Sequence, residues 1–286
     1  MSEITRMSDA EYFALDAIDQ TGLKKFLISP REYAAYKTRR ESESFFEFGK
    51  AAHSLILGEG PHVEQAPDRR TKKGKEQAEA LSTEYGSDLV LVNAQDYEHL
   101  TCMVKCGPKL SDMYPGRAEM ALLAEDAETG LPLKGKADWL PDSPCEDGVY
   151  RIIDYKTTGM TSSQLKDPKG FAREAYQYGY HIQAAFYMML YRRCADWHGP
   201  LGFRFVIQQK TPPYDWVVRD FTWEQPEIQM IALRKIRHGL DSLNWWWNHG
   251  MDLNRMLDWG LDKTPQAVEF SDWQMLDEET EMDSWQ

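Results

Sequence analysis

Cysteine is scarce in this sequence, and long hydrophobic runs are missing. The 286 residues include four cysteines, which are too few and too scattered for a disulfide framework. No stretch approaches the roughly 18 consecutive apolar residues of a transmembrane helix, and the polar segment 1–13 is not typical of a secretory signal. These observations argue against a disulfide-stabilised secreted protein and against membrane insertion, so we expect an intracellular protein without a membrane partner.

Two of the cysteines could act together, because Cys102 and Cys106 lie four residues apart and would share one face of a helix. No second pair and no nearby histidine in the sequence completes a metal site around them. We therefore expect small, buried apolar side chains at both positions.

Positive charge is in short supply overall but is concentrated in one place. With 33 basic and 46 acidic residues the net charge is −13, which by itself argues against binding to nucleic acid. Screening, however, limits the reach of distant charges to about 8–10 Å, so a local basic cluster can still bind phosphate. Such a cluster consists of Arg69, Arg70, Lys72, Lys73 and Lys75. A solvated loop or helix start is the alternative interpretation of the cluster.

The spacing of apolar residues changes along the chain from a helical to a strand-like pattern. We predict helices over 22–40 (interrupted at Ser29–Pro30), 45–57, 74–85 and 93–112. Three strands separated by turn signals follow at 117–125, 131–139 and 149–157. The remaining predicted elements are a helix at 171–196, strands at 202–210 and 214–222, and a helix at 224–250.

This order of elements predicts one α/β (α+β) domain over residues 1–270. We expect a helical N-terminal part at about 20–113 and a core at about 114–250, in which helices flank a central mixed sheet. Residues 271–286 contain six acidic residues and no basic one, so we expect a flexible acidic tail there. Docking of a partner protein is the alternative role for that tail.

Charged side chains interrupt the third of these strands. Asp154 and Lys156 lie two residues apart in an apolar segment, so both side chains point to the same face of the sheet. Asp138 ends the preceding strand, and the meander brings it towards Asp154. Two adjacent carboxylates repel each other unless a divalent cation binds between them. A buried Asp–Lys ion pair in an edge strand, with Asp138 exposed in a turn, is the alternative.

The spacing of these three residues resembles the D…(D/E)xK signature of the PD-(D/E)XK nuclease superfamily. His181–Tyr187 resembles the QxxxY helix motif of its RecB-like exonuclease branch, and residues 48–58 resemble the FGxAxH element of that branch. The segments 23–33 and 69–76 resemble RecE-type (exonuclease VIII-like) phage and prophage exonucleases. The five elements occur in the expected order over about residues 20–250. The resemblance implies a PD-(D/E)XK nuclease core.

The resemblance also implies roles for individual residues. Asp138 and Asp154 would bind Mg²⁺ with the backbone carbonyl of Tyr155 as a further ligand, and aspartate serves here as well as the commoner glutamate. Lys156 would position and activate the attacking water. His53 would be a ligand or near-ligand of a second metal, and Glu119 would be an additional metal-binding carboxylate. Gln183 and Tyr187 would support the metal site and the DNA backbone as catalytic residues, and Arg69, Arg70, Lys72 and Lys73 would bind DNA phosphates.

Each of the less certain residues has a purely structural alternative. His53 would be a core histidine whose ring nitrogens are satisfied by hydrogen bonds. Tyr187 would be a core aromatic residue, and Gln183 would be a packing or capping amide. Glu119 would be a surface residue of its strand.

The activity implied by the resemblance is that of a metal-dependent 5′→3′ exonuclease. Such an enzyme would degrade linear double-stranded DNA and leave 3′ single-stranded overhangs for phage-type homologous recombination by strand annealing. Mg²⁺ would be the cofactor, and Mn²⁺ would substitute for it. A site-cutting endonuclease of the same superfamily and a catalytically inactive DNA- or protein-binding module are the alternatives.

The resemblance further implies partners and a location. The partners are double-stranded DNA ends, a RecT-like single-strand annealing protein, and further copies of the chain in a ring for which a tetramer is favoured. The location is the cytoplasm of a bacterial host cell. No cysteine cluster flanks the motifs, so we expect no iron–sulfur cluster. The G-x-x-x-x-G-K-[ST] loop is missing, so we expect no ATP requirement.

Overall fold

Three neighbouring strands in the middle of the chain form the part of the fold that positions the candidate site. The computed structural model describes residues 2–38, 44–221, 226–259 and Thr264. The acidic segment 271–286, for which the sequence predicts a flexible tail, lies outside the described residues, as does the predicted beginning of the last helix at 224.

The described strands are β1 (Glu3–Arg6), β2 (His62–Gln65), β3 (Leu89–Val92), β4 (Gly116–Glu125), β5 (Pro132–Pro141), β6 (Tyr150–Thr158), β7 (Leu201–Gln209) and β8 (Trp216–Phe221). The described helices before the sheet core are α1 (Asp9–Ala14), α2 (Gln20–Ile28), α3 (Pro30–Thr38), α4 (Ser44–Leu57), α5 (Lys72–Tyr85), α6 (Ala94–Cys106) and α7 (Leu110–Met113). The later helices are α8 (Ser162–Lys166), α9 (Pro168–Gln177), α10 (Tyr180–Cys194), α11 (Pro226–Asn248) and α12 (Leu253–Leu257).

Six of the strands form one mixed sheet in the order β1-β4-β5-β6-β7-β8. Strands β6 and β7 are parallel and are connected through α8, α9 and α10, whereas the other neighbours are antiparallel. Strands β2 and β3 form a separate parallel pair. This architecture confirms the predicted α/β (α+β) fold with a central mixed sheet flanked by helices. None of the helices in the described part of the chain combines the length and the apolar character needed to cross a bilayer.

Hydrophobic cores lie on both faces of the sheet. The core on one face, here called the α10 core, includes Ile152 and Phe205 and packs the sheet against α2, α3, α10 and α11. The core on the other face, here called the α4 core, includes Ile153, Tyr155 and Val206 and packs the sheet against α4 and α6. Successive residues of β6 therefore enter opposite cores. Burial on both faces explains why these strands read as nearly continuous apolar segments.

Two helices that the sequence predicts as continuous are interrupted. Helix α6 ends at Cys106 because Gly107 and Pro108 follow it, and the short α7 occupies the rest of the predicted helix 93–112. The predicted helix 171–196 divides into α9 and α10 at Gly179, whose φ of 66° is left-handed. Cys102 is half-buried and Cys106 is exposed, so the prediction of buried side chains at both positions was wrong.

Candidate active site

The alternation of side chains along β4 and β5 is interrupted where Glu119 and Asp138 oppose each other. Backbone pairing between the two strands continues on both sides of this position but omits the pair itself. Glu119 has a φ of 54°, a left-handed conformation that is strained for a residue with a side chain. Ala118 consequently lies in the α4 core and Met120 in the α10 core, although residues two apart in a strand ordinarily share a face.

Strands β5 and β6 separate beside Asp138. Within the described residues, Trp139 and Ile153 form the single backbone pair that joins them, which puts Asp138 and Asp154 at the next position of the register. There the backbone N–H of Tyr155 donates a hydrogen bond of 2.8 Å to Asp138 Oδ2. The Asp138 carboxylate thus accepts the hydrogen bond that a backbone carbonyl of β5 would accept if the two strands stayed paired. The structure therefore brings the two aspartates together in a gap of the sheet.

The Asp154 carboxylate is held by a cation and an amide. Lys156 Nζ lies 2.6 Å from Asp154 Oδ2 and compensates its charge, although the contact lacks hydrogen-bond geometry. Gln183 Nε2, on α10, donates a hydrogen bond of 2.6 Å to Asp154 Oδ1. The Lys156 ammonium also lies 5.1 Å from the centre of the Tyr180 ring, a cation–π contact. These contacts fix the orientation of a carboxylate that is only 6% exposed.

A second group of possible metal ligands lies around Asp138. Ligand atoms of His53, Glu119 and Asp138 all lie within 4.8 Å of one another. His53 Nδ1 is 3.4 Å from Asp138 Oδ2, and the His53 ring packs edge to face against Tyr155 at 5.3 Å. Asp138 therefore belongs to two groups at once, one with Asp154 and one with His53 and Glu119.

Tyr187 completes the hydrogen bonding of β5 where that strand leaves β6. Its hydroxyl accepts a bond of 3.2 Å from the backbone N–H of Lys136 and donates one of 2.9 Å to the carbonyl of the same residue. Gly135 permits this approach of α10, because a Cβ there would lie 3.0 Å from Leu190 Cδ1 and 3.2 Å from Tyr187 Cε1. Tyr187 thus supports the strand that carries Asp138, and its hydroxyl bonds to the backbone of Lys136 and not to the Asp138 carboxylate.

Sequence reasoning missed three charged residues beside the site. Lys136 Nζ lies 2.8 Å from Glu119 Oε2 and 2.7 Å from Asp9 Oδ1, and Lys50 Nζ lies 3.2 Å from Asp9 Oδ2. Lys136 thereby compensates the charge of Glu119. Its position two residues before Asp138 in a strand could have identified it. Asp9 offered no such signal, because α1 was not among the predicted elements.

Burial and charge repulsion act on the carboxylates of the site. Burial, and after it the charge of Asp154, raises the pKa of Asp138 well above its usual value. Burial also raises the pKa of Glu119, although the Lys136 ammonium opposes this shift. Crowded carboxylates of this kind repel one another, and a bound cation relieves that repulsion.

The pKa values of the two basic side chains of the site shift in opposite directions. Burial alone would lower the pKa of Lys156, but the charges of Asp154 and Asp138 outweigh it and raise that pKa. Burial and the Lys156 charge lower the pKa of His53 to about 3, so its imidazole is neutral. Neutral imidazole is the form that binds metals. The Lys156 ammonium therefore keeps its proton beside the two carboxylates.

The donor atoms suit a hard divalent cation. The carboxylates of Asp138, Asp154 and Glu119 and the backbone carbonyl of Tyr155 are the kind of oxygen ligands that Mg²⁺ prefers. Among the described residues, the buried Asp154 Oδ2 accepts no hydrogen bond of regular geometry and lies 2.6 Å from the Lys156 ammonium. A carboxylate oxygen has two lone pairs, so one of them can still bind a cation beside Lys156. The site could therefore hold a divalent metal.

The predicted DNA-binding residues make no described contact with these carboxylates. Arg70 Nε lies 2.9 Å from Asp68 Oδ1, so an acidic neighbour compensates part of the local positive charge. None of the described contacts joins the cluster to the carboxylates. The exposed side chains around the beginning of α5 are those of Arg69, Arg70, Lys72 and Lys73. Their role on DNA phosphates stays a prediction.

The fold is shared with a solved structure of a protein from Eubacterium rectale that carries a provisional exonuclease name. The two superpose with a TM-score of 0.58 over 92% of this chain and 97% of that chain, at 13% sequence identity. The superposition shows a common fold and, at this low identity, no more than that. A structure of the protein SSO0001 aligns over 68% of this chain and 85% of that chain with 16% identity, but its TM-score of 0.29 supports no argument.

Comparison at the level of sequence families gives a more direct result. A search among curated proteins finds no match. A family model, by contrast, matches residues 20–253, a range that contains the carboxylates, the lysine and the helix α10 described above. The chain belongs to the family described as the PDDEXK-like domain of unknown function (DUF3799).

Proposed function

We propose that this protein is a metal-dependent nuclease that hydrolyses phosphodiester bonds of DNA. One observation carries the proposal: Asp138 and Asp154 meet in a gap of the sheet beside Lys156. Glu119 opposes Asp138 across the neighbouring strand and adds a third carboxylate. Membership of a PDDEXK-like family supports this interpretation of the cluster.

The residues of the chain would share the chemistry as follows. A divalent cation held by Asp138, Asp154 and the Tyr155 carbonyl would lower the pKa of water and stabilise negative charge on the phosphate. Lys156 keeps its proton and donates hydrogen bonds to the attacking water or to a phosphate oxygen. Gln183 keeps Asp154 in a fixed orientation through its 2.6 Å hydrogen bond.

More specifically, we propose a RecE-type 5′→3′ exonuclease that acts on linear double-stranded DNA and leaves 3′ overhangs. The segments 23–33 and 69–76, which resemble RecE-type enzymes, support this, as does the fold shared with a protein named as an exonuclease. Burial of the site also supports it, because the side chains of Asp138 and Asp154 are 14% and 6% exposed. A single strand reaches such carboxylates more easily than an intact duplex does.

The resemblance to RecE-type enzymes also leads us to propose partners and a setting. These are Mg²⁺ or Mn²⁺ as cofactor, a homo-oligomeric ring with a tetramer favoured, and a RecT-like annealing protein that receives the 3′ overhang. Recombination of phage type in the cytoplasm of a bacterial host would be the biological role. Size measurement by light scattering tests the ring, and co-purification with the annealing protein tests the partner.

Digestion of end-labelled linear duplex with Mg²⁺, beside the same DNA as a closed circle, tests the activity. We expect wild type to release mononucleotides from the 5′-ended strands of linear DNA and to leave the circle intact. The Lys156→Ala variant should be slower by at least about 100-fold, the usual minimum for loss of a positioned catalytic group. Lys166→Ala, at an exposed lysine of α8, is the matched control and should digest like wild type.

Each other outcome has a definite meaning. Cleavage of the closed circle identifies an endonuclease of the same superfamily. Binding of DNA without any metal-dependent cleavage identifies an inactive binding module. Wild-type rates in Lys156→Ala contradict the assignment of the catalytic lysine.

A further inference from the structure

An exposed aromatic residue stands beside the candidate active site at the turn between α9 and α10. Tyr178 is the residue that follows α9, and 54% of it is exposed. Its ring lies 5.8 Å from the ring of Tyr180, and the Tyr180 ring in turn lies 5.1 Å from Lys156 Nζ. A short series of contacts therefore leads from the catalytic lysine to a solvent-facing aromatic ring.

The turn that carries Tyr178 is held in place from α2. Lys24 Nζ donates a hydrogen bond of 3.0 Å to the backbone carbonyl of Tyr178. Gly179 has a φ of 66°, and a Cβ at this position would lie 3.0 Å from Lys24 Cδ, so the lysine stem covers the glycine. The position of the Tyr178 backbone is thus fixed before any ligand arrives, which lowers the entropy cost of binding through its ring.

Because the site is buried, an exposed aromatic ring beside it could bind a nucleobase. The buried carboxylates can be reached by one DNA strand, so the nucleotide next to them must leave the duplex. A base that leaves the duplex loses its stacking partner, and an aromatic side chain can replace that partner without regard to sequence. An enzyme that degrades a whole DNA strand needs such tolerance, because every base along the strand enters its active site in turn.

We propose that Tyr178 is a stacking platform for the nucleobase of the first unpaired nucleotide of the strand that enters the site. The ligand is a nucleobase of any identity, and its phosphate lies on the side of Lys24 and Lys156. Tyr178 is a positioning residue, because it contacts the base and not the scissile phosphate. This inference rests on the proposed nuclease function and adds a binding site to it.

Tyr176, in the last turn of α9, provides a matched control. It is more exposed than Tyr178, at 75%, but its ring stacks on His181 at 5.9 Å and lines a groove bordered by Phe221 and Ile228. No described contact joins the Tyr176 ring to Tyr180 or Lys156. If exposure alone allowed an aromatic residue to stack on DNA, loss of Tyr176 would matter more than loss of Tyr178.

The test measures binding of a duplex with a three-nucleotide unpaired end, with Ca²⁺ in place of Mg²⁺ to suppress cleavage. A second substrate lacks the base of the unpaired nucleotide next to the duplex. We expect Tyr178→Ala to bind the complete substrate about 5- to 150-fold more weakly than wild type, which corresponds to one lost stacking contact. Tyr178→Phe should bind like wild type, because the ring is retained.

The abasic substrate separates base stacking from a merely structural role of Tyr178. A structural role would not make the affinity depend on the presence of the base. Wild type should lose affinity for the abasic substrate, whereas Tyr178→Ala should bind both substrates equally. The proposal is wrong if wild type and Tyr178→Ala bind the complete substrate with equal affinity. It is also wrong if Tyr176→Ala loses as much affinity as Tyr178→Ala does. Failure of wild type to bind any DNA overturns the proposed nuclease function as well, so the two failures are distinct.

Discussion

The backbone N–H of Tyr155 donates a 2.8 Å hydrogen bond to Asp138 Oδ2, so a side chain on β5 occupies the place of a backbone acceptor. The two strands are joined at Trp139 and Ile153 and part immediately beyond that pair. Asp138 therefore has two functions. It accepts the hydrogen bond of the Tyr155 N–H on β6, and its other lone pairs can bind a cation between the strands.

Asp138→Asn should separate these two functions. The amide oxygen still accepts the Tyr155 N–H, while one of the repelling charges disappears. We expect a melting temperature equal to that of wild type or up to about 4 °C higher without added metal, as for a gain of about 1 kcal/mol in a chain of this size. We also expect that Mg²⁺ no longer raises it. Wild type should gain about 2.7 kcal/mol at a Mg²⁺ concentration 100 times the dissociation constant.

Thermal denaturation with and without Mg²⁺ measures both effects. Asp142→Asn is the matched control, because Asp142 directly follows β5 and is exposed. It should keep the full response to Mg²⁺. A normal response in Asp138→Asn would mean that the cation binds elsewhere.

Lys156→Met should destabilise the protein in the absence of metal. The Asp154 carboxylate, 6% exposed, would lose the cation that lies 2.6 Å away, and an uncompensated buried charge costs about 3–5 kcal/mol. Mg²⁺ should restore part of this loss, because it supplies positive charge at the same carboxylate. Urea denaturation of Lys156→Met and of the exposed control Lys166→Met measures the difference. Equal stability of both variants would show that Asp154 does not depend on Lys156.

Tyr187→Phe should weaken β5 without removing any ligand. The hydroxyl bonds to both the N–H and the carbonyl of Lys136, and a buried backbone group without a partner costs about 1–3 kcal/mol. We expect a loss of that size in the free energy of unfolding together with a weaker affinity for metal, measured by calorimetry. Tyr176→Phe, at an exposed ring, should change neither quantity. Unchanged stability of Tyr187→Phe would mean that β5 keeps its geometry without the bridge.

Much of the fold could be predicted, because local signals and tertiary packing agree along most of the chain. The three strands β4, β5 and β6 bury both faces and read as apolar segments. The prediction failed at α1 and β1, which are short and obtain their stability from contacts remote in sequence, such as the pairing of β1 with β4. It also failed at Gly179, where a left-handed residue turns one helix into two.

The arrangement of the site was only partly accessible from sequence. Asp154 and Lys156 are neighbours on one strand, so simple alternation places them together. The approach of Asp138 depends instead on a gap between β5 and β6. A hydroxyl from α10 bonds to the β5 backbone there, and the left-handed Glu119 lies opposite Asp138 on β4. Lys24 and Asp9 reach the site from helices more than 100 residues away in sequence, and no local pattern announces such contacts.

Glu119 offers the clearest test that the site stores strain. Its φ of 54° costs a residue with a Cβ about 1–2 kcal/mol, whereas glycine adopts this conformation freely and loses about 0.5–1 kcal/mol through its greater unfolded-state entropy. We therefore expect Glu119→Gly to be more stable to urea than Glu119→Ala by about 0.5–1 kcal/mol, because both lack the carboxylate and only the alanine keeps the strain.

Both Glu119 variants should lose affinity for the metal by about 10- to 100-fold, as expected when a group that holds or orients a ligand is removed. Calorimetric titration with Mg²⁺ measures this loss and separates it from the effect on folding. The comparison therefore yields two independent answers. If Glu119→Ala proves as stable as Glu119→Gly, the backbone at this position is not left-handed in solution. If both variants bind Mg²⁺ like wild type, Glu119 serves only to neutralise Lys136, and the metal is held by the two aspartates without it.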